Sequence, residues 1–163
     1  VCLLNHTDGS LVHLSPCRLN KIEGLFAKAD YVLEYLVNLN IQPGAIARVF
    51  VEANAKRFAP GMTSADTILT LAKMNGLVSY LAHKQFNAPV IDVVATSARS
   101  VLGFKVKGKN QKEQVFQQNL LLHPEFPWPT HVVKGETIIA GIARDMNDAY
   151  VICRGGQLIH PYR

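Results

Sequence analysis

The chain has 163 residues, of which 48% are hydrophobic and 18% are charged. This length suffices for one ordinary domain, and the composition is that of a globular protein rather than a disordered one. With 17 Lys and Arg residues against 12 Asp and Glu residues, the net charge is +5, which favours polyanionic partners such as nucleic acids.

The cysteines and the apolar runs exclude several classes of protein. Cys2, Cys17 and Cys153 form no C-x-x-C pair, so the sequence predicts neither a zinc site nor a disulfide framework, and a reducing intracellular compartment is favoured. No apolar run reaches the ~20 residues that a membrane helix needs. The first residues show no signal-peptide pattern. We therefore expect no membrane partner.

The first half of the chain alternates between predicted strands and helices. Two short apolar runs flank an Asp-Gly turn in residues 1–14 and predict an antiparallel hairpin. Helical periodicity follows in residues 21–38, and an apolar strand then ends at Glu52. Thr63 or Ser64 is a cap for a second helix. Gly76 lies within that helix, where close packing against a neighbouring element would offset its cost of roughly 1 kcal/mol.

The second half continues the alternation. Residues 90–94 predict a strand, residues 97–102 a helical turn and residues 111–121 a helix. A Pro-rich irregular connection around Trp128 precedes a final helix that carries Asp145 and Asp148, and we expect Gly155 and Gly156 to end it. This order predicts one mixed α/β domain over residues 1–163, with the sheet in the middle.

Three acids in this order form a candidate metal site. Asp145 and Asp148 are three residues apart and share one face of a helix, and Glu52 ends a buried strand. Carboxylates are the ligands that Mg²⁺ prefers, and Mg²⁺ promotes hydrolysis of phosphodiesters. The alternative for Asp145 and Asp148 is an acidic first turn that interacts favourably with the helix dipole.

Two basic stretches predict contacts with nucleic-acid phosphates. In the loop of residues 105–109 lysines occupy alternate positions, and such side chains bind phosphates without reading sequence. In the other stretch, Lys56 and Arg57 precede Phe58. This aromatic ring either stacks against a splayed base or packs into the core.

The order of these motifs resembles the RuvC-type Holliday junction resolvases of the RNase H-like superfamily. The resemblance covers roughly residues 1–155. It is carried by Glu52 after V-F-V, by A-K-M-N-G at residues 72–76, by Gly103 followed by K-E-Q-V at residues 112–115, and by the D-x-x-D-A motif that begins at Asp145.

The resemblance implies a fold and a set of roles. It implies an α/β fold in which helices flank an RNase H-like mixed sheet, with Mg²⁺ or Mn²⁺ bound by Glu52, Asp145 and Asp148. Lys112 would approach the scissile phosphate, and Arg99 lies where the family often has a second basic residue near it. The predicted nucleic-acid contacts are Lys56, Arg57, Phe58, Arg99, Lys105, Lys107 and Lys109.

One ligand of the family is missing from the sequence. The family begins with a strand that carries a D-x-G motif, and its aspartate bridges both metal ions. Residues 1–14 match the second and third strands, and Asp8 lies in the turn between them. Either the first strand lies upstream of Val1 in the parent protein, or the chain has lost this ligand and with it the activity.

Three functions follow from the resemblance and the basic charge. The first is a Mg²⁺-dependent, structure-selective endonuclease that cleaves branched DNA as a homodimer, because a four-way junction needs two symmetric cuts. The alternative is a non-catalytic RNase H-like component or assembly factor of a ribonucleoprotein such as an organellar ribosome, with structured RNA and proteins as partners. A third is an RNase H-type enzyme that cuts RNA–DNA hybrids. The family's distribution suggests a mitochondrial location.

Overall fold

The computed structural model describes residues 1–42, 44–54, 65–133 and 136–161. They form two compact units: the terminal unit, Val1–Pro16 with Ala95–Arg163, and the central unit, Cys17–Val94. In chain order the elements are β1 (Cys2–Leu4), β2 (Leu11–Leu14), α1 (Leu25–Asn38), β3 (Val49–Glu52), α2 (Ala65–Phe86), β4 (Val90–Val93), α3 (Ala95–Val101), α4 (Gln111–Leu122), β5 (Thr130–Val133), β6 (Glu136–Ile139) and α5 (Ala143–Ile159).

The terminal unit begins with the predicted hairpin. Strands β1 and β2 pair antiparallel, with Leu3 opposite His13. The Asp8 carboxylate accepts a hydrogen bond of 2.8 Å from the backbone N–H of Ser10, and Gly9 adopts φ 74°. A side chain that closes its own turn and a glycine at positive φ are what a tight connection requires. The hairpin prediction is confirmed.

The central unit contains a parallel β-ladder and two helices, α1 and α2. Strands β3 and β4 pair in register, with Val49 opposite Val90 and Glu52 opposite Val93. Helix α2 packs on both strands and on α1. The core of the central unit consists of buried apolar side chains, namely Val32, Leu36, Ala82, Phe86 and Ala88. The predicted strand that ends at Glu52 is confirmed, but its residues are half-buried or exposed rather than buried.

Gly76 does not have the role that the sequence predicts. A Cβ at this position would meet no atom of the described residues within 4 Å, so close packing does not explain the glycine. Gly76 instead borders an open depression of about 320 Å³, together with the polar side chains of Asn54, Asn75, Ser79 and Asp92.

Helix α5 is the centre of the terminal unit, where it packs against α3, α4 and β1. The expectation that Gly155 and Gly156 end this helix is wrong, because α5 continues to Ile159 and both glycines are buried within it. A Cβ on Gly155 would lie 2.7 Å from the Ala98 Cα atom. The glycine is therefore what allows α3 and α5 to approach so closely.

A second hairpin follows the Pro-rich connection and was not predicted. Strands β5 and β6 pair antiparallel, with Thr130 opposite Ile139. All four residues of β5 are exposed, so the strand lacks the alternation of buried and exposed positions from which a sequence reading recognises a strand.

The mixed α/β class is confirmed. The described strands form three two-stranded sheets and not the single middle sheet that the sequence predicts, and the RNase H-like arrangement and the single domain stay predictions. None of the helices in the described ranges is long and apolar enough to cross a membrane.

Candidate functional site

Two of the predicted site residues meet between α4 and α5. The Lys112 ammonium nitrogen lies 2.7 Å from the Asp148 Oδ2 atom, and the exposed fractions of the two side chains are 62% and 17%. Lys112 is in the first turn of α4, and Asp148 lies in the second turn of α5. A lysine and an aspartate that are distant in sequence therefore form one charge pair at the surface.

A second ion pair joins the same two helices. Arg144 Nε donates a hydrogen bond to the Glu113 carboxylate. This carboxylate also accepts a hydrogen bond of 2.8 Å from Gln117 Nε2. The Arg144 hydrogen bond lowers the pKa of Glu113. The Arg144 guanidinium also lies 5.3 Å from the Phe116 ring centroid, a cation–π geometry. The first turns of both helices are thereby fixed to each other beside Lys112.

A buried amide pair lies beneath these ion pairs. Asn119 Nδ2 donates to Asn147 Oδ1 at 2.7 Å, and both residues are 0% exposed. Among the described residues, Asn119 Oδ1 and Asn147 Nδ2 have no hydrogen-bond partner, which is costly in a core. In contrast to Asn147, Asp145 is exposed and Asp148 is half-buried. Sequence reasoning missed both asparagines. The position of Asn147 between two aspartates was the signal that could have pointed to it.

Asp145 is in the first turn of α5 and is exposed. It lies three residues before Asp148, so both carboxylates share one side of the helix, as predicted. Its position also fits the alternative, in which a carboxylate near a helix N-terminus is stabilised by the dipole.

Glu52 lies in the central unit, at the carboxyl end of β3. Its side chain is exposed, and its backbone carbonyl accepts a hydrogen bond of 2.9 Å from Asn75 Nδ2 on α2. The three predicted metal ligands are thus divided between the two units, and their convergence stays a prediction. In the described part of the chain, no group of three or more His, Cys, Asp or Glu side chains is arranged to hold a metal ion.

The predicted nucleic-acid contacts differ in their surroundings. Lys105, Lys107 and Lys109 are exposed in the loop before α4. Arg99 is only 9% exposed, so its guanidinium has little room to reach a phosphate. Lys56, Arg57 and Phe58, and the caps at Thr63 or Ser64, lie outside the described residues.

Two cysteines that are far apart in sequence also meet in the terminal unit. The thiols of Cys2 on β1 and Cys153 on α5 are neighbours, and their interaction raises the pKa of Cys2 and lowers the pKa of Cys153. Within the described chain, all three cysteines are free thiols.

Comparison of the chain with protein-family models, with characterised proteins and with solved structures gives no match.

Proposed function

We propose that the chain is an RNase H-like domain of a Mg²⁺-dependent, structure-selective endonuclease that acts on branched DNA. The observation that carries this proposal is the contact of 2.7 Å between Lys112 and Asp148. The resemblance to RuvC-type resolvases gives these two residues roles at one phosphate, and they come from different helices. A homodimer would supply the two symmetric cuts that a four-way junction needs.

The donor set fits a hard divalent cation. Asp145 and Asp148 present carboxylate oxygens from one side of α5, and Mg²⁺ prefers oxygen ligands, of which one or two are often carboxylates. Glu52 would complete the protein ligands. When bound, Mg²⁺ activates water and neutralises charge on the leaving oxygen. Lys112, which is mostly exposed, would place its ammonium against a phosphate oxygen.

The parallel ladder also supports an RNase H-like sheet. The runs V-F-V in β3 and V-I-D-V in β4 are largely apolar, which is typical of parallel strands that are covered on both faces. Two strands alone make a marginal sheet. In the described structure this ladder contains β3 and β4, and helix α2 packs on both of them.

A specific observation favours the alternative, a non-catalytic nucleic-acid-binding component of a ribonucleoprotein. The Asp148 charge is already balanced by Lys112 without a cation. Such a chain would keep the basic surface and bind structured RNA without cutting it.

Paramagnetic Mn²⁺ tests the metal site directly. We expect Mn²⁺ to broaden the amide NMR signals of Asp145, Asp148 and Glu52 first, because paramagnetic broadening falls steeply with distance from the ion. Asp148→Asn should weaken Mn²⁺ binding at least about tenfold. Asp66→Asn, which changes an exposed acid in the first turn of α2, is the matched control. Broadening at Asp148 that spares Glu52 would show that the three acids do not converge.

Binding to a four-way DNA junction should be strongly salt-dependent, because each lysine that neutralises a phosphate releases counterions. Replacing Lys105, Lys107 and Lys109 together by Ala should lower the slope of log affinity against log salt by up to about three. The control replaces the exposed Arg18, Lys21 and Lys84 and removes the same charge. Equal slopes for the two triple variants would exclude a specific role of the loop.

A further inference from the structure

The loop that carries the three lysines is bound to α4 through its backbone. The Lys105 N–H donates to Gln118 Oε1 at 3.2 Å, and the Lys105 carbonyl accepts from Gln118 Nε2 at 3.0 Å. The Lys107 N–H donates to Gln114 Oε1 at 3.0 Å, and its carbonyl accepts from Gln114 Nε2 at 2.8 Å. Each glutamine amide thus donates to and accepts from one backbone residue, as the backbone of a neighbouring β-strand would.

The spacing of the helix matches the spacing of the loop. Gln114 and Gln118 are one helical turn apart, about 6 Å along α4. Lys105 and Lys107 are two residues apart in an extended chain, about 6.6 Å. The loop runs antiparallel to α4, since Gln118 holds the earlier lysine and Gln114 the later one. Two glutamines four residues apart are therefore suited to hold alternate residues of an extended segment.

The end of the loop is held by the same helix. Gln114 Nε2 also donates to the Lys109 carbonyl at 2.9 Å, and Gln111 Nε2 donates to the Gly108 carbonyl at 3.3 Å. Gly108 adopts φ 65°, which is readily available only to glycine. The segment therefore turns into α4 directly after its extended part.

Half-buried and exposed side chains alternate along this loop. Phe104 and Val106 are half-buried, whereas Lys105 and Lys107 are exposed. Because side chains two residues apart point the same way, the two lysines project together, away from the apolar pair. Lys109 follows the turn at Gly108 and is exposed as well. With the backbone held by α4, little further order is needed when these lysines meet a ligand, which lowers the cost of binding.

We propose that Gln114 and Gln118 are positioning residues that hold Lys105, Lys107 and Lys109 as a preformed row for the phosphates of a nucleic-acid backbone. The inference rests on the proposed function, because it assumes that this loop meets nucleic acid. The ligand class is the sugar-phosphate backbone, which lysines contact irrespective of base sequence.

A charge-neutral double variant separates positioning from charge. Gln114→Ala with Gln118→Ala keeps every lysine, and Gln117→Ala, which lies on the same helix and contacts Glu113 instead, is the control. We expect the double variant to lose hydrogen-exchange protection of the Lys105 and Lys107 amides. Its affinity for a four-way DNA junction should fall about three- to tenfold, with a salt slope lower by about one.

The possible outcomes distinguish failure of this inference from failure of the loop's place in the proposed function. Lost protection with unchanged affinity and salt slope would overturn the inference, and so would retained protection, since the glutamines would then not hold the loop. A purely structural role would lower the melting temperature and leave the salt slope unchanged, which would also overturn it. If the triple lysine variant lowers binding and the double glutamine variant does not, the inference alone fails. If neither variant changes binding, the loop's place in the proposed function fails as well.

Discussion

Replacing Asp148 by Asn should abolish Mg²⁺-dependent cutting of a four-way junction by a chain that also carries the D-x-G strand. Asn keeps the shape of the side chain but removes the anionic oxygen that would hold the ion and that pairs with Lys112 at 2.7 Å. The loss should exceed about a hundredfold, because changes to residues that merely support metal ligands already cost up to that much. Binding to the junction should remain nearly unchanged, since phosphate contacts supply most of the affinity.

The 163-residue chain is the natural comparison for this experiment. It contains no D-x-G motif, so we expect it to bind the junction but to cut it poorly or not at all, with or without Mg²⁺. Asp66→Asn in the longer chain is the control and should cut normally. Robust cutting by the 163-residue chain would refute the assignment of the missing ligand. A longer chain that carries the aspartate and cuts neither branched nor hybrid substrates would favour the ribonucleoprotein function.

Gly155→Ala should destabilise the protein relative to Gly76→Ala, although the two substitutions are chemically identical. Both replace a glycine inside a helix, where Ala is intrinsically better by roughly 1 kcal/mol. At Gly155 the new Cβ would lie 2.5 Å from the Ala98 Cβ and 2.7 Å from its Cα, whereas at Gly76 it meets nothing in the described structure within 4 Å. Since backbone must move at Gly155, overpacking should cost about 1–3 kcal/mol.

Thermal or denaturant unfolding of the two variants measures this difference. The gain in helix propensity is common to both, so it cancels when their free energies of unfolding are compared. We expect the free energy of unfolding of Gly76→Ala to exceed that of the parent chain. It should exceed that of Gly155→Ala by about the 1–3 kcal/mol that overpacking costs. Equal stability of the two variants would mean that α3 and α5 do not approach each other closely at Ala98.

Several elements were predictable from the sequence because their causes are local. The Asp-Gly turn specifies the first hairpin, since the Asp8 carboxylate accepts from the Ser10 N–H two residues on and Gly9 adopts a positive φ. Helical periodicity predicts α1, because a face of apolar residues at spacings of three and four requires a helix to be buried. The positions of Asp145 and Asp148 on one side of α5 follow from the same geometry.

The tertiary structure decided the features that depend on contacts between distant residues. Local signals favour a helix end at Gly155 and Gly156, but burial against Ala98 makes small residues suitable inside α5. The pairing of Lys112 with Asp148 and that of Asn119 with Asn147 require α4 and α5 to lie side by side. The hydrogen bonds from Gln114 and Gln118 on α4 to the backbone of Lys105 and Lys107 likewise join residues that the sequence does not pair. A residue's partner across the fold is set by how whole elements pack, and neither residue type nor spacing along the chain contains that information.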